Sequence, residues 1–251
     1  MGKFLQNDRP SLTVMLQCQT PEVAVGRIRN ALHLGADAFG LQVECLLPEH
    51  HTPETFRRIF EEMNGKPSYV TNYHSGQNKG KSDEELAAGL LTLADCGATL
   101  CDVQGDLFAS HPLQMTEDPV AIQKQMDLID LLHDKGAEVL MSAHTKCYLS
   151  GEKVLELALE QKRRGADIIK IVTDAADMQE QLENMKTIDL LKRELGAPFL
   201  FLCGGECSIM RRMGIHLGCS IALCVYEHDH LSTPGQPLLQ VMKQIRDQIQ
   251  F

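Results

Sequence analysis

Residues 167–175, DIIKIVTDA, form a short run of Ile and Val with one lysine in its middle. Ile168, Ile169, Ile171 and Val172 read as a strand covered on both faces, the pattern of a parallel sheet inside an α/β protein. Lys170 breaks the pattern. An ammonium on a long stem is almost never buried without a partner or a purpose. In a tight, partly apolar site an amine can be driven to its neutral form and attack a carbonyl to give an imine. Read alone, Lys170 is more simply a strand-end lysine whose head reaches solvent and makes an ordinary salt bridge. The neighbouring strands have to decide.

The three residues that lead into this strand, Gly165-Ala166-Asp167, recur as Gly-Ala-Asp at 35–37, Gly-Ala-Thr at 97–99 and Gly-Ala-Glu at 136–138. Each marks a helix C-terminal glycine followed by entry into a strand. Working outward, strands are expected at 11–18, 38–46, 67–74, 99–107, 137–145, 167–175, 198–205 and 220–228. Between them lie helix starts. Thr20-Pro21-Glu22 and Thr52-Pro53-Glu54 place a threonine cap before a first-turn proline, Ser82 to Glu85 is a capping box, and Asp118-Pro119 and Ser150 open two more. Further helices are expected from about Asp177 to Glu194, from Ser208 to Leu217, and at the C-terminal end. Eight strand–helix units in 251 residues are the arithmetic of one (β/α)₈ TIM barrel spanning 1–251. A doubly wound open sheet would more often carry a Gly-rich phosphate loop after its first strand, and LQCQTPE (16–22) is not one.

Composition bounds the function. With 43% hydrophobic and 23% charged residues the chain has the make-up of an ordinary globule, and its net charge of −10 argues against a nucleic-acid backbone as partner. No apolar stretch reaches 18 residues, so no membrane span is expected. The start, MGKFLQNDRPSLTVML, lacks the apolar core of a signal peptide and the Ser or Thr of a myristoylation signal, so neither is expected. Nine cysteines, an odd number with no CxxC pair, fit buried free thiols in a reducing cytoplasm. Cys203 and Cys207 lie four apart, with no third and fourth ligand nearby to make a zinc set.

In a (β/α)₈ barrel the chemistry sits at the C-terminal ends of the strands. The polar residues expected there include Gln42 and Glu44, Tyr73 and His74, Asp102, Ser142 and His144, Lys170, and Arg211 and Arg212 on the helix after the seventh strand. Three of them read as a mechanism. Lys170 forms an imine, His144 on the adjacent strand moves protons, and Asp102 one strand further holds the imidazole in one tautomer. Taken singly, His144 is as readily a loop histidine and Asp102 a carboxylate bonded to backbone amides. Their meeting on three consecutive strand ends is harder to explain as accident. The loop FASHPLQMTEDP (108–119) has the length of a lid but offers no residue to select.

MSAHT (141–145), DIIKIVTDA, CSIMRRMGIHLG (207–218) and STPGQ (232–236) together resemble type I 3-dehydroquinate dehydratase, with the S-x-P-G-Q loop as the most specific element. The resemblance implies a (β/α)₈ fold, no cofactor, a cyclic keto-acid substrate such as 3-dehydroquinate, and a hydro-lyase of the shikimate pathway that leads to aromatic amino acids. From the habit of the family it also implies a homodimer. It implies that Lys170 forms the imine, that His144 shuttles protons, and that Asp102 belongs to the network supporting the histidine. Arg211, seven residues before Gly218, would hold the substrate carboxylate, and Ser232 and Gln236 would close over the bound acid.

The departures fall on one side. Gly40 and Gln42 stand where the family has a carboxylate and a guanidinium, and Tyr73 stands where it has another arginine. The imine machinery and the carboxylate grip are kept, while the residues that grip the ring hydroxyls are changed. Gln42, Tyr73, His74, His228 and His230 are the candidates to line that altered side. Two other readings compete: an imine-dependent lyase or aldolase on a different oxo acid, and a non-catalytic barrel that binds a metabolite. Lys170, His144 and Arg211 together argue against the second, because a binder does not need a strand-buried amine. His50, His51, His228 and His230 are metal ligands by type, but their placement makes no convincing set, and no metal is expected.

Overall fold

The computed structural model describes residues 4–6, 9–205 and 209–248. The strands are β1 (Ser11–Leu16), β2 (Ala38–Gln42), β3 (Ser68–Thr71), β4 (Leu100–Gln104), β5 (Glu138–His144), β6 (Ile168–Ala175), β7 (Phe199–Gly205) and β8 (Ile221–Cys224). They form one sheet in the order β7-β6-β5-β4-β3-β2-β1-β8, every neighbouring pair parallel. At the remaining seam, Ser220 N donates to Phe199 O at 2.8 Å, so the barrel is nearly closed.

The helices alternate with the strands: α1 (Pro21–His33), α2 (Pro53–Glu62), α3 (Asp83–Asp95), α4 (Pro119–Asp134), α5 (Gly151–Arg163), α6 (Met178–Glu194), α7 (Met210–Leu217) and α8 (Leu239–Gln248). Their starts follow the capping chemistry. Ser82 forms a reciprocal capping box with Glu85, and Thr52, Asp118, Ser150 and Asp177 each accept from the backbone amide three residues on. Thr20 makes no such bond, and Pro21 alone sets the start of α1. The start expected at Ser208 lies outside the described residues. Gly35, Gly97, Gly136 and Gly165, the glycines of the recurring tripeptide, adopt φ of 84°, 109°, 84° and 105°, the left-handed geometry that ends a helix.

Several strands are shorter than expected. β2 stops at Gln42, where the chain turns into a 3₁₀ segment, Val43–Cys45, and β3 and β8 stop at Thr71 and Cys224. The sequence stays strand-like past the last ladder bond because those residues line the barrel mouth and remain partly covered. Alternation reports burial, not pairing. The loop after β4 is tied down from beneath. Arg164, buried at the end of α5, donates to Gly105 O (3.1 Å), Gln125 Oε1 (2.8 Å) and Thr116 O (2.6 Å). Thr116 N also donates to Gly105 O at 2.9 Å, which closes the loop on itself over the mouth. All eight cysteines among the described residues are free thiols; Cys207 lies outside them. Among the described residues no helix is long and apolar enough to cross a membrane.

Candidate active site

Lys170 sits in the third position of β6, opposite Ser142 on β5. It is 4% exposed, and the ammonium is fully engaged. Its Nζ donates to Tyr69 OH at 2.9 Å, Tyr73 OH at 3.2 Å and Asp102 Oδ2 at 3.2 Å. Asp102 gathers the network. Both phenols donate to its Oδ2, and Ser142 Oγ donates to Oδ1 at 2.6 Å. Burial first, and then the Asp102 charge, push both tyrosines well above their ordinary pKa, so each stays a hydroxyl with a proton to give.

Asp102 does not hydrogen-bond the imidazole directly, as the sequence reading expected, although its charge is felt there. Its hydrogen bonds run to Lys170, Tyr69, Tyr73 and Ser142 rather than to His144. The ladder gives the reason. Asp102 pairs with Leu140, which pairs with Ile168, two residues below Lys170, whereas His144 lies two residues above Ser142 at the strand end. The carboxylate looks up at the amine and does not reach the imidazole.

His144 is held by Gln114, from the loop after β4. Gln114 Oε1 accepts from the His144 backbone amide at 2.9 Å and lies 3.2 Å from Nδ1. Because the backbone amide can only donate, the Gln114 atom is the carbonyl oxygen, and the imidazole proton sits on Nδ1. Nε2 is left with its lone pair. Burial, then the charges of Lys170 and Arg211, lower the His144 pKa to about 3, so the ring is a neutral base at physiological pH. Tyr73 packs edge-on against it, with centroids 5.9 Å apart and planes at 75°. The loop that held no selectable residue in sequence thus supplies a direct partner of the histidine, with Gln114 in the left-handed region at φ 49°.

Lys170, His144, Tyr69, Tyr73 and Arg211 face one cavity of about 100 Å³, whose lining also includes Gln42, Gln236, Thr233 and Met15. Burial lowers the Arg211 pKa, and among the described residues no carboxylate stands within ion-pair distance of its guanidinium. Glu44 is buried behind this wall. It accepts from Thr71 Oγ1 at 2.9 and 3.0 Å and from Gln42 Nε2 at 3.3 Å, and burial raises its pKa to about 7.

The STPGQ loop is fastened from its base. Ser232 Oγ donates to Asp229 Oδ1 at 2.9 Å, and Asp229 pairs with Arg27 at 2.5 Å. Gln17, just past β1, donates to Thr233 Oγ1 at 2.5 Å and accepts from Thr233 N at 3.1 Å. Thr233 and Gln236 therefore face the cavity, while Ser232 shapes the loop around Asp229. Of the residues proposed for the altered side, Gln42 and Tyr73 line the cavity. His74 pairs with Asp83 at 2.6 Å, His228 Nε2 lies 2.8 Å from Gln236 O, and His230 is exposed. Among the described residues no three His, Cys, Asp or Glu converge as a metal set. The residues that the sequence did not single out are Tyr69, Gln114, Gln17 and Arg27. Tyr69 reads as a core aromatic in mid-strand, and nothing in its neighbourhood signals that its hydroxyl reaches a lysine.

A family model described as type I 3-dehydroquinase matches residues 12–250. Among solved structures, 3-dehydroquinate dehydratase from Geobacillus kaustophilus HTA426 has a TM-score of 0.82 at 15% identity, covering 97% of this chain and 92% of that one. The type I enzyme from Clostridium difficile, with covalently modified comenic acid, has a TM-score of 0.81 at 15% identity, covering 97% and 93%. The enzyme from Enterococcus faecalis has a TM-score of 0.76 at 18% identity, covering 97% and 95%. At these identities the likeness to solved structures shows the fold. No curated protein sequence matches the chain.

Proposed function

The chain belongs to the type I 3-dehydroquinase family and is a lyase of its dehydratase kind, and we propose that it removes water from a β-hydroxy keto acid through an imine on Lys170. The observation that carries this reading is the meeting of the Lys170 amine, the neutral His144 imidazole and the Arg211 guanidinium, with no carboxylate partner among the described residues, on one small cavity.

The geometry supports the following roles. For the amine to attack a ketone, one proton must leave Nζ, and Asp102 is the anion in contact with it at 3.2 Å. Attack gives a carbinolamine whose oxygen departs as water. The Tyr69 and Tyr73 hydroxyls, each bonded to both Nζ and Asp102, are placed to pass that proton to it. The iminium acidifies the adjacent carbon, and His144 Nε2 takes the proton there. The resulting enamine expels the β-hydroxyl, which leaves as water with the proton from His144. Hydrolysis of the conjugated iminium restores the amine. Arg211 holds the carboxylate throughout, where burial strengthens the pairing.

The whole reaction fits within one barrel domain. The free thiols support a reducing, cytoplasmic setting. A homodimer is part of the same reading, supported by the exposed Met178 and Leu182 on α6, and sedimentation tests it. The reaction itself is tested by incubating the protein with cyclic and open-chain β-hydroxy keto acids, reducing with borohydride and mapping the mass adduct. The expected result is an adduct on the peptide carrying Lys170, absent in Lys170→Ala. A folded protein that takes no adduct from any of these acids would rule the imine out.

A further inference from the structure

The wall formed by β1, β2 and β3 says what the substrate is not. Met15 pairs with Gly40, and Gly40 with Tyr69, so the three share one row of the ladder. A Cβ built at position 40 would stand 2.3 Å from Met15 Sδ and 3.0 Å from the Tyr69 ring. A side chain at position 40 would have to displace the Met15 thioether and press on the Tyr69 ring, which occupy the space here. Two residues on, Gln42 is neutral and turns its amide nitrogen away to Glu44. Tyr73 adds a second ring between this wall and Lys170. Among the described residues lining the cavity, Lys170 and Arg211 are the lysine and arginine. With Lys170 committed to a ketone, Arg211 is left for a single carboxylate.

What remains is small and specific. The cavity of about 100 Å³ lies well below the ~300 Å³ where ordinary ligand pockets begin. Two of the residues lining it carry a buried acceptor without a partner among the described residues, Gln42 Oε1 and Gln236 Oε1. A buried carbonyl oxygen in want of a donor matches a hydroxyl on the ligand.

One carboxylate, one ketone and a hydroxyl β to it, on a compact skeleton without a ring, describe an open-chain 2-hydroxy-4-oxo acid of roughly five or six carbons. We propose that this class is the substrate, and that Met15, Tyr69 and Tyr73 exclude the bulkier cyclic polyhydroxy acids; the inference rests on the imine dehydration proposed above. The reaction balances without a co-reactant. Lys170 and the C4 ketone give an iminium and water. His144 removes a proton from C3, and the electron pair moves to the nitrogen. The C2 hydroxyl leaves as water with that proton. Hydrolysis then returns the amine and a 4-oxo-2-enoic acid.

The test compares 2-hydroxy-4-oxopentanoate with 3-dehydroquinate on the full chain, following enone absorbance and borohydride adducts at Lys170. The expected kcat/KM is at least about tenfold higher for the open-chain acid, and Met15→Ala is expected to narrow that gap severalfold by admitting the ring. A kcat/KM for 3-dehydroquinate equal to or above that of the open-chain acid would overturn the substrate class while leaving the imine reading intact. No adduct from either acid, on protein whose circular dichroism shows it folded, would overturn both.

Discussion

On the β4–β6 side of the barrel mouth, Lys170 meets Asp102, and Asp102 collects three hydroxyls. On the β1–β3 side the residues facing the cavity, including Met15, Gln42, Tyr69 and Tyr73, are uncharged, and the carboxylate behind them, Glu44, has no cation within ion-pair distance among the described residues. The first side is a charge held by a partner one ladder layer below. The second is neutral packing with a buried acid behind it. The amine and its carboxylate therefore rest on β4 and β6, while Tyr69 and Tyr73 reach across from the β3 side and join the wall to the proton network. The two sides should also respond differently to mutation and to pH.

The sharpest way to break the contrast is Asp102→Ala. The side chains of Lys170 and Asp102 are 5% and 0% exposed. Removing the carboxylate would strand a buried ammonium and leave Tyr69, Tyr73 and Ser142 without their acceptor. Breaking a buried pair from one side costs about 3–5 kcal/mol, to be read from urea unfolding. Gln42→Ala on the opposite wall removes only a hydrogen bond at 3.3 Å and is expected to cost about 1 kcal/mol. Equal losses for the two variants would mean that the ion pair is no more than another polar contact.

Glu44 gives the second, smaller effect, and its sign is opposite to that of a paired carboxylate. Burial raises its pKa from an ordinary 4.5 to about 7. Between those values the folded chain holds a proton that the unfolded chain has lost, so stability falls as pH rises through that window and stays lower above it. Glu44→Gln carries no such penalty. The variant is expected to be more stable than the wild type at pH 8 by about 3 kcal/mol, with the gap closing below pH 5. Parallel stability–pH curves for the two proteins would show that Glu44 does not titrate in this range.

The order of elements was legible because its signals are local. A glycine that must take positive φ, a capping serine or aspartate and a run of Ile and Val each declare themselves within a few residues, and Gly165 through Ala175 shows all but the cap. The identity of the buried amine was legible for the same reason, since Lys170 is anomalous in its own strand. Its partners were not. Which acid it meets depends on the offset between β4, β5 and β6, and a one-layer difference moves Asp102 from the histidine to the lysine. Tyr69 was hidden because an aromatic in mid-strand reads as core whether or not its hydroxyl ends on a functional group. The replacement of Gly40 was visible, but its meaning was not. Only the row Met15–Gly40–Tyr69 shows that the vacated position is filled rather than open.

Gln114 tests the most distant link, from an irregular loop to the imidazole, and carries the smallest expected effect. Its one oxygen accepts from both the amide and the ring of His144. A neutral hydrogen bond of this kind contributes about 1 kcal/mol, so Gln114→Ala is expected to lower kcat roughly fivefold by freeing the ring to take the wrong tautomer. A structural role alone would produce the same loss, and Gln114→Glu separates the two. A carboxylate at that oxygen favours the imidazolium, so the His144 pKa rises from about 3. The acid limb of kcat/KM should then move to higher pH in the glutamate variant, where the base is now protonated over part of the working range. If both variants lose activity with an unshifted limb, Gln114 merely holds the loop shut, and the tautomer of His144 is set by something else.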